Sequence, residues 1–132
     1  FLSKVTKKLN PQGYFITYSS SAAVRKTLRN LGLEIFNIKP EFKSKTLWSN
    51  GTIAIKNIDG NNLNSNLQFE KLSIMEEEHL LTKASIPYRD PNLNYQTKEI
   101  LQKRAREQLL SNLITSNKWR EKWGMTKSTL NS

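Results

Sequence analysis

The chain contains 132 residues, a length typical of a single domain. It has no cysteine and one histidine, His79, which excludes disulfides, zinc fingers, iron–sulfur ligation, thiol catalysis and a histidine-rich metal site. Lys and Arg number 21 against 11 Asp and Glu, for a formal net charge of +10, and no apolar run approaches the roughly 18 residues of a membrane-spanning helix.

The positive charge is concentrated at the two ends of the chain. Residues 1–48 carry a net charge of +7, residues 49–90 a net charge of −2, and residues 91–132 a net charge of +5. Two basic ends favour contact with nucleic acid, because Lys and Arg neutralise phosphates and release counterions. The alternative is a solvated surface without a partner. A membrane surface is disfavoured, since no terminus carries a long amphipathic basic helix.

Helical and strand patterns alternate over the first 56 residues. The predicted elements are two helices and three strands, in the order helix 1–9, strand 14–18, helix between Ser21 and Gly32, strand 33–38 and strand 52–56. A serine is a good N-cap, and glycine supplies the left-handed residue at which a helix ends. This alternation predicts an α/β fold.

The predicted α/β unit is too small to be complete. A parallel sheet needs cover on both faces, and only one complete helix is predicted between these strands. The chain begins with Phe1 rather than Met, so we expect the other half of the domain to lie upstream. No two of the five glycines lie within three residues of each other, so no glycine-rich nucleotide-binding loop is present.

A polar stretch, residues 59–72, is predicted to be a loop or linker. Ser73 and Glu76 then have the spacing of a capping box, which predicts a helix that continues through Lys83. Glu76, Glu77 and Glu78 are consecutive, so on a helix their carboxylates diverge and do not converge on one ion.

The last 47 residues carry two features that allow a structural or an RNA-binding interpretation. Tyr88 and Arg89, in an extended proline-flanked segment, either offer a stacking ring and a guanidinium to RNA or anchor the loop. Trp119 and Trp123 share a helical face that either docks on the core or contacts RNA. Between them a long helix is predicted from about Thr97, with an apolar stripe formed by Ile100, Leu101, Leu109, Leu110, Leu113 and Ile114.

One stretch resembles a known family. Residues 9–28, LNPQGYFITYSSSAAVRKTL, followed by LGLEI at 31–35 and WSNGTIA at 48–54, resemble the late part of the MnmC-type methyltransferase domain. Residues 77–91 and 118–120 are similar to the extension of cyanobacterial members. The resemblance covers most of the chain.

The resemblance implies a Rossmann-like enzyme that uses S-adenosylmethionine to methylate the aminomethyl group on the wobble uridine of certain tRNAs, and hence a cytoplasmic protein with tRNA as its partner. In that family the cofactor loop and the catalytic acidic motif precede the matched segment, so we expect both upstream of Phe1 and no activity from this segment alone. The implied organisation is the C-terminal half of the methyltransferase domain at 1–58, a polar linker at 59–72 and a basic helical extension at 73–132.

Candidate site residues lie where the first strand ends, because open α/β sheets bind ligands beyond the carboxyl ends of their strands. Tyr18 and Ser20 are predicted to orient the acceptor amine, with the alternative that the serines only cap the helix and Tyr18 fills space. No metal site is expected. The residues predicted to contact RNA are Arg25, Lys26, Arg29 and Arg89. The alternative function is a non-catalytic basic RNA-binding or assembly module.

Overall fold

The computed structural model describes residues 1–10, 13–38, 51–56 and 69–125. The described helices are α1 (Leu2–Lys7), α2 (Ala22–Asn30), α3 (Ile74–His79), α4 (Thr97–Leu110) and α5 (Ser116–Lys122), with a 3-10 turn at Lys83–Ser85. The described strands are β1 (Tyr14–Thr17), β2 (Glu34–Ile38), β3 (Thr52–Ile55) and β4 (Phe69–Lys71).

The four strands form one sheet in the order β1-β3-β2-β4. β3 lies between β1 and β2 and is antiparallel to both, so β1 and β2 run in the same direction and are joined through α2. β4 adds to the outer edge of β2 in antiparallel orientation. The α/β fold of a Rossmann-like C-terminal portion is confirmed, although each described strand pairing is antiparallel because β3 separates the two co-directional strands.

Apolar side chains line both faces of the sheet, because successive side chains of a strand point to opposite sides. On the face that α2 covers, the buried cluster consists of Leu28, Leu33, Ile35 and Ala54. On the other face, the buried cluster consists of Phe36, Ile53 and Ile55, and the Phe36 ring meets that of Phe69 edge-on at 4.9 Å. The central strand β3, TIAI, is therefore buried at all four positions and has no solvated face.

The predicted helix ends are confirmed where local signals define them. The Ser21 hydroxyl accepts a hydrogen bond from the Val24 amide at 3.2 Å, and Gly32, with φ of +90°, follows the end of α2. Ser73 and Glu76 form the predicted capping box at the start of α3. That helix ends at His79 and does not continue through Lys83, because the extended Thr82 caps the following 3-10 turn.

The apolar stripe predicted for the long helix is not buried. Leu101, Leu109 and Leu110 are more than half exposed, and α4 ends at Leu110, where Ser111 adopts an extended conformation. Polar contacts hold the helix instead: Arg104 donates to the carbonyls of Ile86 at 2.8 Å and Ala84 at 3.1 Å. The apolar stripe of the predicted helix therefore lies mostly at the surface.

α5 docks against α3 through Trp119, which is 1% exposed. Its indole nitrogen donates to the Met75 carbonyl at 3.0 Å, and its ring stacks on His79 with 4.3 Å between centroids. The docking interpretation is thus confirmed for Trp119. Burial first, and then the charges of Arg25 and Arg120, lower the pKa of His79 to about 4.

The predicted linker at 59–72 is shorter than expected at its C-terminal end. Residues 69–71 are β4 and pair with β2 through the register Asn37↔Glu70. The rest of that stretch, up to residue 68, lies outside the described residues. The division of the chain at this linker stays a prediction.

Candidate functional site

The segment Thr17–Ser21, here called the strand-end loop, connects the carboxyl end of β1 to α2. Short side chains hold its backbone: the Thr17 hydroxyl accepts from the Ser19 amide at 3.1 Å, and the Ser19 hydroxyl accepts from the Ser21 amide at 3.3 Å. The Tyr18 side chain is 94% exposed, so it does not fill the core. The loop therefore presents Tyr18 to solvent from a fixed backbone.

β3 supports the strand-end loop from below. A Cβ atom on Gly51 would lie 2.5 Å from the carbonyl oxygen of Thr17 and 3.2 Å from the Tyr18 Cα, so only glycine permits this approach. The next residue, Thr52, is fully buried, and its hydroxyl donates to the Ser19 carbonyl at 2.7 Å. Gly51, just before β3, and Thr52, its first residue, thus fix the position of the loop.

Beneath the loop lies a polar group, here called the Arg25 cluster, made of the buried residues Arg25, Asn37, Thr52 and Glu76 and the exposed Ser73. Arg25 donates from Nε to Thr52 Oγ1 at 2.8 Å, from Nη1 to Glu76 Oε2 at 2.9 Å, and from Nη2 to Asn37 Oδ1 at 2.8 Å. The other oxygen of Glu76 accepts from Asn37 Nδ2 at 2.6 Å and from the Ser73 hydroxyl at 2.9 Å. The cluster therefore ties α2, β2, β3 and α3 together.

The ion pair of the cluster is charged despite its burial. Burial alone would raise the pKa of Glu76, but the hydrogen bonds from Arg25, Asn37 and Ser73 outweigh it and lower that pKa. Burial lowers the pKa of Arg25, opposed by its bond to Glu76, and a guanidinium keeps its proton throughout the physiological range. Both charges are thus satisfied inside the protein.

The prediction that Arg25 contacts RNA is wrong. Arg25 is 1% exposed, and its guanidinium donates to Thr52, Glu76, Asn37 and the Gly51 carbonyl. A phosphate cannot reach a guanidinium that is this deeply buried.

The other three predicted RNA contacts lie at the surface. Arg29 forms a two-bond pair with Glu77 at 2.7 and 2.9 Å, and Arg89 forms a two-bond pair with Glu107 at 3.0 and 2.8 Å. The carboxylate bonds raise the pKa of each arginine. Lys26 is half-buried. RNA contact by these residues stays a prediction.

The three consecutive carboxylates diverge as predicted. Glu76 bonds Arg25, Glu77 bonds Arg29, and Glu78 accepts from Lys122 at 2.7 Å and from the Trp123 indole at 2.9 Å. In the described ranges, no three His, Asp or Glu side chains are grouped so that they could hold a metal ion.

A cavity of about 440 Å³ lies between α1, α2 and the extended segment 87–91. Most of its lining is apolar, with Leu2, Val24 and Leu31 on one side and Tyr88 and Arg89 on the other. The Tyr88 ring is 56% exposed and carries the Arg104 guanidinium 4.2 Å from its centroid. This segment is non-helical, as predicted, and the cation–π contact holds Tyr88 in place.

The sequence did not predict that Asn37, Thr52 and Glu76 belong to one hydrogen-bonded cluster with Arg25. One signal was available, because an asparagine in the otherwise apolar run LEIFNI has to find hydrogen-bond partners when the strand is buried. The partners themselves lie up to 51 residues apart in sequence.

Two comparisons with known proteins find matches to this chain. Residues 1–54 match a family model described as S-adenosyl-L-methionine-dependent methyltransferase. The crystal structure of MnmC2 from Aquifex aeolicus matches with a TM-score of 0.63 and 27% sequence identity, over 83% of this chain and 32% of that chain. No curated protein matches.

These matches confirm that the chain resembles S-adenosylmethionine-dependent methyltransferases of the MnmC type. The chain spans about a third of the length of the solved MnmC2 chain. Where the structure describes the chain, no helix is long and apolar enough to cross a membrane.

The described residues include no glycine-rich loop of the kind that holds the adenosyl group of the family's cofactor. A cofactor loop needs glycines between a strand and the helix that follows it. The only described connection of that kind next to α2 is the strand-end loop, which contains three serines and no glycine. Gly32 and Gly124 instead adopt positive φ after α2 and α5.

Proposed function

We propose that the chain is the C-terminal part of a methyltransferase that modifies tRNA, and that the methyl acceptor is the aminomethyl group of the wobble uridine. In this proposal residues 1–58 complete the catalytic domain, residues 73–132 form a basic extension, and the protein acts in the cytoplasm. The match of residues 1–54 to the methyltransferase family carries the proposal. The arrangement of β1, α2 and β2 supports it, because the strand-end loop then lies at the ligand-binding end of the sheet.

Within that site, Tyr18 and Ser20 orient the acceptor amine. S-adenosylmethionine, when bound, supplies the methyl group. Transfer to an amine requires a neutral nitrogen held in line with the methyl carbon, which is chiefly a positioning task. The nearly complete exposure of Tyr18, on a backbone that hydrogen bonds hold in place, suits a side chain that meets a large substrate.

Lys26, Arg29 and Arg89 contact the tRNA phosphates. Arg29 and Arg89 already bind carboxylates with two parallel bonds, and a phosphate presents the same paired oxygens. Exchange of Glu77 or Glu107 for phosphate therefore costs these arginines little, since exposed ion pairs contribute at most about 1 kcal/mol.

The first experiment measures methyl transfer by the full-length protein to tRNA that carries the aminomethyl group. We expect Tyr18→Ala to lower kcat/KM by at least about tenfold, equivalent to roughly 1.4 kcal/mol of transition-state stabilisation. Ser20→Ala is expected to lower it less, because the residue retains its backbone position. The thermal midpoint of Tyr18→Ala should match that of the wild type, because the side chain is exposed.

Tyr95→Ala provides the matched control for loss of a phenol, since Tyr95 lies outside the strand-end loop, next to α4. A wild-type rate in Tyr18→Ala would remove Tyr18 from the site. Absence of methyl transfer to any tRNA, with tRNA binding retained, would refute the enzymatic proposal in favour of the RNA-binding module.

The second experiment measures tRNA binding against salt concentration. Each of Lys26→Ala, Arg29→Ala and Arg89→Ala should reduce the slope of log K against log salt by about 0.7–0.9, the change expected for one lost phosphate contact. Lys71→Ala, an exposed cation on β4, serves as the charge-matched control. An unchanged slope would remove the tested residue from the RNA surface.

A further inference from the structure

We propose that Glu76 of α3 is a positioning residue for the strand-end loop and acts on it through Arg25 and Thr52. The C-terminal segment of the chain would thereby set the geometry at which Tyr18 and Ser20 meet the acceptor. The catalytic part of this inference rests on the proposed function, whereas the structural part, that Glu76 holds the loop, stands on the contacts alone.

The path from α3 to the loop consists of three consecutive short contacts. Glu76 accepts from Arg25 at 2.9 Å, Arg25 donates to the Thr52 hydroxyl at 2.8 Å, and that hydroxyl donates to the Ser19 carbonyl at 2.7 Å. The direction of each bond follows from the chemistry. A guanidinium only donates, so Thr52 accepts from Arg25 and has its single proton left for the loop.

Burial makes this path stiff. Arg25, Thr52 and Glu76 are between 0% and 5% exposed, so water does not compete for their hydrogen bonds. In such surroundings hydrogen bonds are stronger and an unpaired group is costly, which leaves the cluster with one favourable arrangement. Asn37 bridges the two charged groups, because it accepts from Arg25 and donates to Glu76.

A second contact couples the same cluster to the loop. Arg25 Nη2 also donates to the Gly51 carbonyl at 3.1 Å. Gly51 lies directly under Thr17 and Tyr18, at distances that leave no room for a side chain. A displacement of Arg25 therefore changes the support of the loop at both Gly51 and Thr52.

The structural part is tested by amide hydrogen exchange in the full-length protein. Thr52→Val keeps the shape of the side chain and removes the hydroxyl, whereas Thr52→Ser keeps the hydroxyl. We expect the amides of Ser19 and Ser21 to exchange roughly three- to tenfold faster in Thr52→Val, the factor that corresponds to one net hydrogen bond. Thr52→Ser should restore the wild-type rate.

Glu76→Gln tests the distant end of the path. This substitution removes the negative charge that holds Arg25 and nearly keeps the volume of the side chain. Exchange at Ser19 and Ser21 should again increase, although these residues are more than 50 positions away in sequence. Glu78→Gln is the matched control on the same helix, because its partners are Lys122 and Trp123 and not the cluster.

The catalytic part is tested by steady-state methyl transfer with the same variants. Thr52→Val and Glu76→Gln should lower kcat by roughly tenfold and leave the KM for tRNA within about twofold, because a misplaced loop affects the transition state more than binding. Thr52→Ser should recover most of kcat.

Amide exchange and methyl-transfer kinetics together test the structural and the catalytic part of the inference separately. Unchanged exchange at Ser19 and Ser21 in both folded variants overturns the inference, as does a uniform increase across β2 and β3, which indicates general loosening. Faster exchange in the loop with wild-type kinetics refutes the catalytic part alone. Faster loop exchange in a protein that transfers no methyl group supports the structural coupling and refutes the proposed function.

Discussion

The buried ion pair makes a quantitative prediction about stability. Arg25→Met removes the guanidinium and leaves the Glu76 carboxylate 5% exposed, with Asn37 and Ser73 as its remaining partners. Breaking a buried pair by removal of one partner typically costs about 3–5 kcal/mol, because the other charge stays buried. Since Glu76 keeps several hydrogen bonds, we expect the low end, about 3 kcal/mol, for the free energy of unfolding.

Removal of both charges should cost less than the sum of the two single losses. In Arg25→Met with Glu76→Met, no buried charge is left without a partner, and the thioether side chains fill much of the vacated volume. We expect a coupling energy of about 1–3 kcal/mol from the double-mutant cycle, in the upper part of the roughly 0.5–3 kcal/mol typical of residues in one network.

Urea unfolding at pH 7, followed by tryptophan fluorescence, provides the assay. Arg29→Met is the control, because its pair with Glu77 is exposed and should contribute about 1 kcal/mol or less. A loss below about 1 kcal/mol in Arg25→Met, or strictly additive effects in the cycle, would refute the interpretation of Arg25 as the centre of a coupled buried network.

Three further predictions concern the parts around this network. The pKa of His79 is about 4 in the folded chain and about 6.5 in the unfolded chain, so the unfolded chain takes up the proton first as the pH falls. The free energy of unfolding should therefore be highest above about pH 6.5 and fall by about 2–4 kcal/mol down to about pH 4. In urea titrations, His79→Phe should flatten this slope. Gly32→Ala should lower stability by about 1 kcal/mol in thermal unfolding, because φ is +90° there although space is open, and a stabilising effect would contradict this. Trp119→Leu should cost several times more stability than Trp123→Leu, on the order of 3 kcal/mol, and equal losses would show that Trp119 is not the residue that docks α5.

The helix and strand order could be predicted because its signals are local. Ser21 and Gly32 delimit α2, and Ser73 with Glu76 begins α3, each through contacts within three residues or through the conformation of one glycine. The errors occur where distant residues decide. The apolar side chains of α4 have helical spacing, yet the helix is held by Arg104, so periodicity alone did not reveal its contact face.

The site was only partly predictable for the same reason. From sequence, Arg25 and Arg29 are equivalent, since both are arginines on α2, one turn apart, each available to a phosphate. In the fold, Arg25 faces Asn37, Thr52 and Glu76, which come from three other elements, whereas Arg29 meets Glu77 at the surface. No local pattern distinguishes the two, because the difference lies in which strands and helix converge on that side of α2.

This distinction changes how the positive charge of the chain relates to its function. A count of cations assigns Arg25 to the RNA surface, but a buried charge with internal partners neutralises no phosphate and adds nothing to the salt dependence of binding. Its position beneath the strand-end loop instead connects the charge to the proposed acceptor site. A substitution at Arg25 that reduced tRNA methylation would therefore be misread as lost RNA contact unless stability and loop exchange were measured beside it.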